Sequence, residues 1–129
     1  MAGRNVSPRL IDQRLRNRII EELETLADGD AAVQAFGAIE YFNAFFFLGP
    51  IDDAEPFINA AMTDAEHEAW DGVFRLMEQA AGATSSGVTE HELNTSGWPR
   101  RIAPIAAAAV AVFLQRGRSN EDFEEAEPG

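Results

Sequence analysis

The residues of this chain best suited to chemistry come in two matching tripeptides, Glu66-His67-Glu68 and Glu90-His91-Glu92, which hold both of its histidines. Imidazole beside carboxylate is a donor set that zinc and iron accept. On a helix Asp64, His67 and Asp71 would share one face, which adds to the resemblance to a metal site. Adjacent helical residues point apart, however, so neither tripeptide chelates as a unit. Nor does the chain contain a Glu-x-x-His pair of the di-iron kind. Neither a metal nor a cofactor is expected.

A lone carboxylate, Glu40, stands in the most aromatic stretch, FGAIEYFNAFFFLGP at 36–50, which holds five of the nine phenylalanines and the single tyrosine. Burial among those rings would raise its pKa and give a ligand-binding or proton-handling group, with Tyr41 and Asn43 beside it. Two plainer readings compete. Glu40 pairs with Arg100 or Arg101 of another helix, or it lies exposed on the narrow polar strip Gln34, Gly37, Glu40 and Asn43.

Other catalytic devices are missing. There is no cysteine, and all ten basic residues are arginine, which excludes thiolate chemistry, Schiff bases and a phosphate-loop lysine. The serines, at 7, 85, 86, 96 and 119, fall at caps, loops or the tail. The balance leans away from an enzyme.

Binding residues are better represented. Arg4, Arg9, Arg14, Arg16 and Arg18 crowd the front of the first helix, and Glu21, Glu22, Glu24, Asp28 and Asp30 follow them. That order opposes the helix dipole, which prefers acids first and bases last. Antiparallel pairing with a second copy would set the positive half on the negative half, as a two-fold interface requires. Trp98 with Arg100 and Arg101 combines the residue types most enriched in binding hot spots. Phe45, Phe46 and Phe47 are consecutive and sweep about 200° of a helix surface, more than one neighbouring helix covers. Phe46 and Phe47 therefore join the interface candidates.

The elements that must position these residues are helical. Ser7 caps and Pro8 opens a first helix whose apolar positions Ile11, Leu15, Ile19, Leu23 and Leu26 run to Asp28–Gly29. A second, apolar on nearly every side and therefore central, spans about 31–48. A short third runs from Asp52 to Met62. Thr63 with Glu66 forms a capping box for a fourth, and Thr89 with Glu92 marks a further short turn. Pro99 and Pro104 imply a kinked entry to a last central helix at about 104–116. No alternating strand pattern appears. The expectation is an all-α bundle of about five helices over 1–118, followed by an acidic, solvated tail at 119–129.

With 46% apolar residues the chain is globular, and its formal charge of −12 argues against nucleic acid or an anionic membrane as partner. Neither an apolar leader nor a membrane-length run is seen, so a cytoplasmic location is expected. The leading expectation is a non-catalytic protein-interaction module acting as a homodimer. The alternatives are an immunity-type acidic inhibitor of a basic toxin or nuclease, and a small-molecule binder or enzyme with an aromatic pocket around Glu40.

Overall fold

The computed structural model describes residues 7–49 and 57–126. It contains six helices: α1 (Pro8–Ala27), α2 (Asp30–Phe36), α3 (Ala38–Phe46), α4 (Asp64–Gly82), α5 (Glu90–Ser96) and α6 (Trp98–Leu114). No strand occurs among the described residues, so the fold is all-α.

Local chemistry explains most of the helix starts. The Ser7 hydroxyl accepts from the Leu10 N–H at 3.1 Å, and Pro8 supplies a preset φ in the first turn. Thr63 and Glu66 form a reciprocal capping box at α4, and Thr89 and Glu92 repeat it at α5. The main layers are α1 and α4 packed on α6. The buried residues of α6, Pro99, Ile102, Ala106, Ala109 and Phe113, recur every three or four positions, and two of them are alanine. Small side chains there let neighbouring backbones come close, and the large ones fill the space between.

Four expectations are corrected. The apolar run at 31–48 is two helices, not one. Gly37, at φ +90° and ψ 159°, ends α2 and begins α3; its N–H donates to Val33 O at 2.8 Å and its carbonyl accepts from Tyr41 N at 3.0 Å. That conformation is open essentially to glycine alone. The turned α3 is no central helix; it lies across α1 and α4. Phe45 is buried and stacks on Trp70, with ring centroids 4.6 Å apart. Phe46 is half-buried and meets Phe74 edge-on at 5.5 Å, while Phe47 is 88% exposed. Gly49 follows closely: a Cβ there would lie 2.5 Å from the Phe74 ring.

The second correction concerns α1, whose buried line follows its apolar spacing only from Ile19 onward. Ile19, Ile20, Leu23 and Leu26 are buried, joined by the polar Gln13, Arg16 and Asn17, whereas Ile11 and Leu15 are exposed. Third, α6 continues through Pro104 without interruption. Arg100 and Pro104 are both exposed, so the carbonyl that loses its helical donor lies on the watered side. Of the short helix expected at Asp52–Met62, residues 52–56 lie outside the described residues, 57–59 are irregular and 60–62 form a turn rather than a helix.

The fourth correction is the tail. Residues 119–126 lie along α1 instead of standing free in solvent, held by Arg9, Gln13, Arg14, Arg16 and Asn17. This strap, together with α4, occupies Arg9, Arg14 and Arg16 of the arginines that run against the helix dipole and leaves Arg18 aside. Phe123 takes part through its carbonyl and not its ring, and the residue is 72% exposed.

Candidate functional site

Two regions concentrate charge on α1. The first is a closed junction. Arg16, 1% exposed, donates from Nε to Glu66 Oε1 at 3.1 Å and from a terminal nitrogen to Oε2 at 2.9 Å. The same terminal nitrogen also reaches the Phe113 carbonyl, the other reaches the Gly117 carbonyl and the Ser119 hydroxyl, and the guanidinium carbon lies 5.5 Å from the Phe113 ring centroid. Arg116 grips the opposite side of the same carboxylate at 2.7 and 3.1 Å. Burial by itself would raise the Glu66 pKa. The hydrogen bonds from Arg16, Arg116 and the Thr63 N–H outweigh it and hold the carboxyl below its ordinary 4.5. No acceptor position faces solvent, so the junction ties α1, α4 and α6 together and leaves no room for a substrate.

The second region is open. A groove of about 650 Å³ runs between α1 and α3. Its floor is Ile11, Leu15, Ala44 and Leu48, with Phe47 at the rim; Arg14 and Arg18 stand at one end, and Glu21, Glu22 and Glu40 at the other. Burial raises the Glu22 pKa, and the charges of Glu40 and then Glu21 push it further the same way. Arg14 is already engaged, donating from Nε to Glu121 O at 2.9 Å, and Glu21 faces Arg118 at 3.6 Å. Among the described residues Arg18, Glu22 and Glu40 have no ion pair. Cations and anions thus face each other along an apolar trough without neutralising one another.

Helical phase explains how residues far apart in sequence meet here. Ile11, Leu15, Arg18 and Glu22 recur at three- and four-residue steps on α1. Glu40, Asn43 and Phe47 do the same along α3, from its first turn to its C-cap, once Gly37 has reset its direction. The groove therefore gathers Glu40, Asn43, Arg14, Arg18, Glu21, Glu22 and Phe47, the largest share of the residues singled out in the sequence. Glu40 is exposed on its polar strip, not desolvated among rings, and pairs with neither Arg100 nor Arg101.

The remaining candidates lie elsewhere. Tyr41 is buried away from the groove, and its phenol oxygen has no hydrogen-bond partner among the described residues; burial first, then the Asp30 charge, pushes its pKa upward. Phe46 packs on α4, facing a second and smaller hollow. Arg100 bonds Asp30 at 3.2 Å, and Arg101 stacks 4.7 Å over the half-buried Trp98 ring, so the Trp98–Arg101 patch is partly consumed internally. His67 is fully engaged: Nδ1 donates to Thr63 O at 2.9 Å, and Nε2 accepts from the Asn59 N–H at 3.0 Å. No group of three or more metal-ligating side chains is placed to hold an ion among the described residues. No helix among them is long and apolar enough to cross a membrane.

Gln13 and Asn17 are absent from the sequence reading, and Arg16 enters it only as one of the crowded arginines, not as a buried one. Their signal was present: they fall three to seven residues before Ile20, in phase with the buried line rather than opposite it. A polar residue on the apolar side of a helix is a bonded one more often than not. Comparison with family models, curated proteins and solved structures finds no match for this chain.

Proposed function

We propose that this protein is a non-catalytic interaction module that pairs with a second copy of itself through the α1–α3 groove. The segregation of unpaired charge over an apolar floor carries this reading. A two-fold axis across the groove brings Arg18 of each copy toward Glu22 and Glu40 of the other and turns the repulsion at Glu22 into attraction. Phe47, which juts from the rim, supplies an apolar anchor of the kind that dominates interface energetics.

Light scattering tests the idea directly. The chain should run as a dimer at tens of micromolar, and a monomer there overturns the reading. Charge reversal gives the sharper check. Arg18→Glu and Glu22→Arg should each be monomeric alone, yet form a heterodimer when mixed, because one pair then sets the two reversed charges against each other and the other pair keeps both native charges. Failure of the mixture to associate excludes the antiparallel register.

A second reading has one observation in its favour: the groove's volume also suits a small amphipathic ligand opening onto Glu40. It predicts a monomer whose melting temperature rises with a carboxylate-bearing aromatic, an effect that Arg18→Glu abolishes.

A further inference from the structure

The strap on α1 is held in an unusual way. Gln13, 0% exposed, donates from its amide to the carbonyls of Asn120 and Phe123, each at 2.8 Å, and accepts from the Glu125 N–H at 2.7 Å. Asn17, also buried, accepts from the Ser119 N–H at 2.8 Å and donates to the Ser119 carbonyl at 2.9 Å and to the Glu121 carboxylate at 2.8 Å. Arg14 and Arg9 add bonds to the carbonyls of Glu121 and Ala126. Side chains of α1 thus read main chain at six residues of the strap. Very little of this depends on what the strap's own side chains are.

Four strap residues are exceptions: Glu121, whose carboxylate is bonded to Asn17, and three that set shape. The Ser119 hydroxyl accepts from Arg16 at 3.0 Å. The Asn120 carboxamide accepts from the N–H groups of Asp122 and Phe123, forming an Asx turn. Glu125 reaches back to the Asn120 N–H at 3.0 Å and closes the loop. Asp122, Phe123 and Glu124 are exposed and bond to nothing on α1 through their side chains.

We propose that the polar face of α1 is a binding site for a short acidic segment of the pattern Ser-Asn-x-x-x-x-Glu. The chain's own residues 119–126 fill it as a tethered ligand, and the same pattern in a partner protein competes for it. Buried amides aimed at main chain give affinity, the Asx turn gives register, and the arginines favour an acidic segment over a neutral one. The site stands independently of the groove, although the two share Arg14. Displacing the strap would free that guanidinium and strengthen the groove's basic end.

The test uses the full chain with its strap weakened by Asn120→Ala and Glu125→Ala. A fluorescent peptide of residues 118–129 should bind this variant at least tenfold more tightly than a peptide carrying the same two substitutions. Adding Asn17→Ala to the protein should cost a further tenfold or more. Equal binding of both peptides, indifference to Asn17→Ala, or no binding at all overturns the proposal. Because the chain has no cysteine, Phe123→Cys gives a unique label on an exposed position of the otherwise native protein. Millimolar peptide should then lower the label's fluorescence anisotropy as the strap is released, and an unchanged anisotropy counts against the site even if the weakened variant does not fold.

Discussion

Arg16 and Arg18 are two residues apart on the same helix, and they have opposite fates. Arg16 is buried with its donors engaged by Glu66, Phe113, Gly117 and Ser119. Arg18 projects into an open groove and has no ion pair among the described residues. The carboxylates follow suit: Glu66 is held below its ordinary pKa by two guanidinium groups, and Glu22 is lifted above its own by burial and by Glu40. The difference teaches where function should be sought. A charge whose partners are all supplied internally stabilises the fold, whereas one left facing its own kind marks a surface still to be completed.

The largest effect should come from treating the two carboxylates alike. Glu66→Ala strands Arg16 as a buried charge and should cost about 3–5 kcal/mol in urea unfolding. Glu40→Ala should change stability by less than about 0.5 kcal/mol, as substitutions away from packed features do. Comparable losses at both positions would erase the distinction between closed junction and open groove.

A smaller effect belongs to the turn that aims α3. A Cβ at Gly37 meets nothing within 4 Å, so the loss from Gly37→Ala is backbone strain alone, about 1–3 kcal/mol. The same substitution should weaken self-association, since it tilts the ridge bearing Phe47. Undiminished dimerisation in a destabilised Gly37→Ala protein would detach α3 from the interface.

The smallest effect is in the pH profile, where the two regions have opposite signs. Glu66 titrates below its unfolded value, so its contribution is complete above pH 4.5 and is lost as pH falls through the folded value. Glu22 titrates above 4.5 in the fold, so its contribution is complete below 4.5 and is lost as pH rises through that higher value. Dilute protein acidified from neutrality should therefore gain slightly and then lose stability. Glu22→Gln should remove the gain and Glu66→Gln the loss. In the dimer the first limb should invert, because a partner's guanidinium favours the charged Glu22.

How far the sequence foretold this depends on the range over which each signal acts. Ser7–Pro8, Thr63–Glu66 and Thr89–Glu92 announce helix starts through contacts three residues apart, and all three starts were legible. Gly37 was not, since a glycine flanked by good helix formers gives no sign of a positive φ until packing demands one. The groove's residues each stood out for a separate reason, but phase alone does not reveal that α3 lies beside α1. Ile11 and Leu15 misled for the same cause: two apolar lines fit α1, and only the polar bonds of Gln13 and Asn17 decide between them. The strap was hidden because its docking uses main chain, which composition does not encode.

The closed junction also constrains when the protein acquires its shape. Arg16, Glu66 and Arg116 are spaced fifty residues apart in both steps, and α1 packs chiefly on the last helix. During synthesis the first helix leaves the ribosome long before either its counter-charge cluster or its packing surface exists. Folding here must wait for the C-terminal end, and the long loops it closes place this helical chain among slow folders for its class.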